Sequence, residues 1–94
     1  MTTLNYLDDF QPGQVLRSPG TLTVSAEEIK QFAQQYDPQP FHLDEAAAQQ
    51  TFFRGLAASG WHTAALTMRL LVDTLHIQGG IIGAGFDEFR WPRP

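Results

Sequence analysis

One segment in the second half of the chain limits what the chain can fold into. From Gly60 to Leu75 a helix is predicted, and its apolar and small residues cover most of its circumference: Ala64, Ala65, Leu66, Met68, Leu70, Leu71 and Val72. His62, Arg69 and Asp73 fall within one narrow polar sector at about 100° per residue, and Arg69 and Asp73 are spaced as an i,i+4 ion pair. A helix with so wide an apolar surface is nearly surrounded by protein. In a chain of 94 residues, a sheet that curls around the helix is the economical way to enclose it.

Three segments predict strands for such a sheet. Residues 14–17 and 21–24 are short and rich in β-branched or apolar residues, and a Ser-Pro-Gly turn separates them. Residues 81–91 follow the Gly79-Gly80 turn and predict one long strand. Because a buried helix needs a wider sheet than these strands provide, we expect the sheet to be incomplete and the domain to be truncated at its C-terminal side.

A first helix is predicted from residue 26 to about Tyr36. Ser25 and Glu28 have the spacing of a capping box. Apolar residues then recur at helical spacing and predict a single buried stripe: Ile29, Phe32, Ala33 and Tyr36. Pro38 prevents the helix from continuing, because the residue before a proline is disfavoured in the α region.

The segment from Asp37 to His42 contains prolines at alternate positions, Pro38 and Pro40. Since proline fixes φ, we expect this segment to be stiff and extended. Asp44 is then expected to cap a short helix that runs from Glu45 to about residue 50.

Composition excludes several classes of protein. A net charge of −4 with six scattered basic residues argues against nucleic-acid binding. The chain has no cysteine, which excludes disulfides and thiolate metal sites. Residues 1–10 lack the pattern of a secretory signal, and the 61–75 segment is too short to span a bilayer. We expect a single domain over residues 1–94, cytoplasmic, with neither membrane nor nucleic acid as a partner.

The residues from 37 to 61 carry a pattern known from one enzyme family. Asp37, Pro40, His42 and Asp44 form the sequence Asp-x-x-Pro-x-His-x-Asp, and a turn of small residues (57–61) then leads into the apolar helix. This arrangement resembles the hydratase motif of MaoC-like (R)-specific enoyl-CoA hydratases and dehydratases. The resemblance implies an α+β hot-dog fold, in which a curved antiparallel sheet wraps a long central helix.

The resemblance also implies a reaction, the hydration of trans-2-enoyl-CoA to 3-hydroxyacyl-CoA or the reverse dehydration. Asp37 and His42 would be the catalytic acid and base. Ser59, Gly60 and Trp61 would bind the substrate, because amide groups at a helix N-terminus can hold the thioester oxygen. The CoA thioester would be the substrate, with no cofactor and no metal. Pairing of two such domains through a continuous sheet implies a homodimer or a larger homo-oligomer.

The chain departs from the family pattern at four positions. Tyr36 stands in place of glycine, Gln39 in place of asparagine and Ser59 in place of histidine. Met68 stands in place of a serine in the central helix. The last change removes a polar contact and bears on which substrate is chosen more than on the class of reaction.

Other interpretations of the same residues stay open. Asp37 is also typical of a turn residue, and His42 of a half-buried structural histidine. Asp37, His42 and Asp44 offer ligands that zinc or iron accepts, without a second well-spaced histidine. The aromatic residues from Phe52 to Trp91 are expected in the core or at a subunit interface. The alternative functions are a hot-dog acyl-CoA thioesterase and a non-catalytic truncated domain that binds acyl thioesters or serves assembly.

Overall fold

A computed structural model describes residues 5–94, and helices provide the regular structure of that part of the chain. They are α1 (Ala26–Tyr36), α2 (Pro40–Leu43), α3 (Glu45–Gln49) and α4 (Gly60–Leu75). A single turn of 3₁₀ helix, Leu7–Asp9, precedes them. The positions predicted for α1, α3 and α4 are thereby confirmed. Among the described residues, no helix is both long enough and apolar enough to cross a membrane.

Helix α1 begins at the predicted cap. The Ser25 hydroxyl accepts a hydrogen bond from the Glu28 N–H at 3.1 Å and donates one to the Glu28 carboxylate at 3.1 Å. Ile29 and Ala33 of the predicted stripe are buried. Tyr36 is 71% exposed and lies outside the core, because the helix ends at that residue and the chain turns away at Asp37.

The prediction of an extended segment from Asp37 to His42 is wrong beyond residue 39. Pro40 is the first residue of α2, a one-turn helix that packs against both α1 and α3. Proline suits the first position of a helix, where its missing N–H would have no partner and its fixed φ is already helical. Asp44 caps α3 as predicted, since its Oδ1 accepts from the Ala46 N–H at 2.8 Å and from the Ala47 N–H at 3.1 Å.

The predicted strands at 14–17, 21–24 and 81–91 do not form in the described structure. Between residues 5 and 94, the one ladder contact is a parallel bridge that joins Asn5 to Ile77. A strand exists only through hydrogen bonds to a neighbouring strand, and these three segments form no such ladder within residues 5–94. The sheet that was expected to wrap α4 is therefore not seen in the part of the chain that the structure describes.

The α4 helix has the predicted bounds, but its apolar face is not enclosed by the described residues. Met68, Leu71 and Val72 are 46%, 45% and 49% exposed. The predicted ion pair between Arg69 Nε and Asp73 Oδ2 forms at 3.0 Å. The helix ends at a left-handed residue, His76, and the glycine pair that follows it turns the chain with positive φ.

The burial of His62 shows that the orientation expected for α4 is wrong at this residue. The sequence placed it on the polar stripe, but it is 7% exposed and stacks on Phe32 of α1, with ring centroids 4.7 Å apart and planes 6° from parallel. The reason is that the Phe32 side chain of α1 covers His62 in the first turn of α4. The same packing brings the C-terminal end of α1 to the N-terminal end of α4.

Candidate active site

The structure brings together the two residues predicted to be catalytic. Asp37 ends α1, where its N–H donates to the Ala33 carbonyl at 2.8 Å. His42 lies in α2 and is 5% exposed. The Nε2 atom of His42 is 3.2 Å from Oδ2 of Asp37. The three-residue link between α1 and α2 thus places the Asp37 carboxylate against the His42 imidazole.

The hydrogen bond of the other ring nitrogen of His42 determines which nitrogen is free to exchange protons. His42 Nδ1 is 2.6 Å from the Ala57 carbonyl oxygen. A carbonyl oxygen can only accept, so this hydrogen bond assigns a proton to Nδ1. The Ala57 N–H donates in turn to the Phe41 carbonyl at 3.0 Å, which ties the following loop to α2. Proton exchange by the imidazole is thereby directed to Nε2, the atom that faces Asp37.

The Asp37 carboxylate is held by polar neighbours on both oxygens. Gln39 Nε2 donates to Oδ1 at 2.5 Å, and His42 contacts Oδ2. The Ser59 hydroxyl, followed by the Gln39 amide, lowers the pKa of Asp37 below its ordinary value, and His42 adds to this effect, while partial burial opposes it. Donors and positive charge near a carboxylate favour its ionised form, so Asp37 is kept as an anion.

Ser59, Gly60 and Trp61 occupy three different environments at the start of α4. The Ser59 side chain is fully buried, and it makes no capping hydrogen bond to the helix. Trp61 is 62% exposed. The first amides of a helix have no partner within it, and here no serine cap occupies them. These amides carry the positive end of the helix dipole, which favours a partner with negative charge.

His42 and Gly60 line one cavity of about 250 Å³, together with Phe41, Phe53 and Trp91. Asp37 is not part of its lining and contacts His42 from the α1 side. Ser59 is likewise absent from the lining of this cavity, and Trp61 lines a second, apolar groove along α4. The structure therefore joins an imidazole and a helix N-terminus in one cavity, with the carboxylate one contact further away.

Asp44 belongs to the structural frame of this site. Its Oδ1 caps α3. Asp44 is also the third residue, after Asp37 and His42, of the alternative metal site that the sequence left open. Among residues 5–94, no group of three or more His, Cys, Asp or Glu side chains is arranged to hold a metal ion.

Comparison with known proteins identifies the family. Residues 9–94 match the MaoC like domain. The chain belongs to the MaoC-like family. A crystal structure of the MaoC-like dehydratase from Rhodospirillum rubrum is similar over 96% of this chain and 61% of its own, with 55% identity and a TM-score of 0.86. The uncharacterized protein YdeM of Bacillus subtilis (strain 168) is 40% identical over 67 residues, which are 71% of this chain and 47% of YdeM.

Membership of the MaoC-like family implies the hot-dog fold, as the sequence motif predicted. The chain spans less than two thirds of the length of both proteins just named. The similarity to the Rhodospirillum rubrum structure extends over nearly the whole chain.

Several residues of this MaoC-like site were not identified from the sequence. Gln39 stands where the family pattern has asparagine, and its amide donates a hydrogen bond to Asp37. Ala57 contributes only its backbone carbonyl, which no side-chain pattern reveals. Trp91 was placed in a strand and in a general aromatic set, whereas its indole N–H donates to the Gly60 carbonyl at 2.8 Å. The sequence shows a tryptophan next to Pro92, but this pattern does not identify Gly60 as the hydrogen-bond partner of Trp91.

Proposed function

We propose that this protein catalyses the hydration of trans-2-enoyl-CoA to 3-hydroxyacyl-CoA, or the reverse dehydration, with Asp37 and His42 as its acid–base pair. The observation that carries the proposal is the 3.2 Å contact between His42 Nε2 and Asp37 Oδ2, with His42 Nδ1 held by the Ala57 carbonyl. An imidazole oriented by a backbone carbonyl and paired with a carboxylate can exchange protons at one defined atom.

The reaction needs one proton to be taken and one to be returned. A water loses a proton to the pair as its oxygen bonds to C3 of the enoyl group, and the electrons of the double bond move toward the thioester carbonyl. The pair then delivers a proton to C2, and the site returns to its starting state. Asp37 does not line the cavity, so it takes part in this proton transfer through His42, and its lowered pKa keeps it ionised.

The negative charge that develops on the thioester oxygen needs donors. The N–H groups of Gly60 and Trp61 belong to the first turn of α4, beside the cavity that His42 lines. Backbone donors that are already in place stabilise such a charge without reorganisation. Gly60 adds no side chain at this helix end, and the Trp91 indole occupies the space that a Cβ atom would take. We propose that Ser59, Gly60 and Trp61 bind the substrate through this helix end.

Crotonyl-CoA hydration tests the proposal. We expect Asp37→Asn and His42→Ala each to lower turnover by at least ~100-fold, because each removes one proton-transfer group. Asp73→Asn is a matched control, since it removes an exposed carboxylate whose partner is Arg69. Normal hydration by both site variants would refute the assigned roles. Release of free thiol from acyl-CoA, measured in parallel, would show thioesterase activity instead.

We also propose that the active form is a homodimer or a larger homo-oligomer, that it acts in the cytoplasm, and that it needs no cofactor besides the thioester substrate. The apolar side chains of Phe52 and Ile82, which are 94% and 95% exposed, support assembly, because burying exposed apolar surface stabilises an oligomer. Analytical ultracentrifugation of the purified protein would measure the assembly state, and a monomer at working concentration would contradict this part.

A further inference from the structure

Two cavities of the protein share a wall. The cavity of about 250 Å³ contains His42 and Gly60. A larger groove of about 380 Å³ runs along α4, between that helix and the segment that contains Phe86 and Phe89. Trp91 and Thr63 line both. Because Thr63 is small, the indole of Trp91 provides most of the wall between them.

The position of this indole is fixed by several contacts. Trp91 Nε1 donates to the Gly60 carbonyl at 2.8 Å. The ring lies 4.6 Å from Phe89 and 5.7 Å from Trp61 between centroids. At Gly60, a Cβ atom would lie 2.9 Å from Trp91 Cε2, so the indole rests directly against the start of α4. A side chain held by a hydrogen bond and two aromatic contacts is a defined wall of the cavity.

The chemistry of the two compartments differs in a way that matters for an acyl chain. The side that holds His42 has the proton-transfer group and the helix N-terminus. The groove beyond Trp91 is lined mainly by apolar side chains: Trp61, Ala64, Met68, Leu71, Phe86 and Phe89. A volume of about 250 Å³ is smaller than the pockets of roughly 300–1,000 Å³ that hold drug-sized ligands. The two together would hold a longer chain.

We propose that Trp91 sets the acyl-chain length by closing the reactive cavity toward the apolar groove, so that the protein prefers short-chain enoyl thioesters. This inference rests on the proposed hydratase function and adds its substrate class. With the indole in place, the tail of an acyl group cannot pass from the cavity beside His42 into the apolar groove. If the indole is shortened, the tail of a longer acyl group reaches the groove, where each buried methylene strengthens binding by about fourfold.

Chain-length preference provides the test. The ratio of kcat/KM for trans-2-octenoyl-CoA to that for crotonyl-CoA would be measured for the unmodified protein, Trp91→Leu, Trp91→Ala and Trp91→Phe. We expect the ratio to rise at least tenfold for the leucine and alanine variants. We expect a smaller rise for the phenylalanine variant, which keeps one aromatic ring in the wall but loses the second ring of the indole and its N–H. A general loss of activity cancels in the ratio, and thermal denaturation shows whether each variant is folded.

A double variant shows where the longer chain goes. Met68→Trp fills the groove from its exposed side, so combining it with Trp91→Ala should reverse the gain for octenoyl-CoA. An unchanged ratio in folded, active Trp91→Leu and Trp91→Ala proteins would overturn the inference alone, as would a gain that persists in the double variant. If the unmodified protein hydrates no chain length, the proposed function fails, and this inference fails with it.

Discussion

Ser59 and Asp37 meet where α1 ends and α4 begins, and the Ser59 side chain is fully buried at that point. Its hydroxyl oxygen has no hydrogen bond of regular geometry, yet it contributes most to the lowered pKa of Asp37. Burying an unpaired hydroxyl destabilises a fold, and stabilising the Asp37 anion offsets part of that cost.

Replacing this hydroxyl should change the pH dependence of activity. Asp37 must be ionised to accept a proton, so activity falls as the pH drops through the pKa of Asp37. Ser59→Ala removes the largest effect that lowers this pKa, and the pKa should move back toward its ordinary value. We expect the acidic limb of the kcat/KM profile to shift to higher pH, with a smaller change at the plateau. His42, which contacts Asp37, is unchanged in this variant.

Thr74→Ala is the control for that experiment. The Thr74 hydroxyl donates to the Leu70 carbonyl near the other end of α4, away from Asp37. Its removal should leave the acidic limb where it was. A Ser59→Ala profile that coincides with that of the unmodified protein would show that the hydroxyl does not act on the carboxylate.

Gln39 should act in the same direction as Ser59 and to a smaller extent. Its amide donates to Asp37 Oδ1 at 2.5 Å and is the second-largest cause of the lowered pKa. We expect Gln39→Ala to move the acidic limb upward by less than Ser59→Ala. The double variant should show the largest shift. Gln35→Ala changes an exposed glutamine one turn earlier in α1 and should not move the limb, and a shift equal to that of Gln39→Ala would count against the assignment.

The cap of α1 should contribute to stability without affecting the chemistry. Ser25→Ala removes the hydroxyl that accepts from the Glu28 N–H, and such a loss costs about 1 kcal/mol in the free energy of unfolding. Urea denaturation would measure it. Ser18→Ala is the matched serine control: its hydroxyl is exposed and bonds only within its own turn, so we expect a change within about 0.5 kcal/mol. Equal effects of the two substitutions would contradict the capping role.

The helices were predictable from the sequence because their signals are local. Ser25 and Asp44 cap their helices through atoms two or three residues away, and Pro38 sets the end of α1 by local sterics. The Asp37–His42 pair was found through a motif that lies within six residues. Pro40 was misread because the same fixed φ suits both an extended segment and the first turn of a helix.

The strands and the buried side of α4 could not be predicted in the same way. Residues 81–91 have strand composition, but a ladder depends on a neighbour that the local sequence does not specify. His62 has the periodicity of a polar stripe, and only the packing of Phe32 against it shows that this side is covered. The contact between Trp91 and Gly60 joins residues 31 apart in the chain. Each of these features depends on tertiary contacts.

Because the Trp91 indole contacts Gly60, we expect Gly60→Ala to change the free energy of unfolding in opposite directions with and without the indole. Replacing glycine by alanine in a helix stabilises it by up to about 1 kcal/mol, and Gly60 has a backbone conformation that alanine can adopt, since its φ is not positive. The added Cβ would lie 2.9 Å from Trp91 Cε2, so the indole must move and lose its hydrogen bond to the Gly60 carbonyl. We expect Gly60→Ala to destabilise the unmodified protein and to stabilise the Trp91→Ala variant. Urea denaturation of the four proteins should give a coupling free energy of about 0.5–3 kcal/mol. Gly55→Ala, where a Cβ meets nothing within 4 Å, should show no coupling to Trp91. Additive effects of Gly60→Ala and Trp91→Ala would show that the indole does not rest against the start of α4.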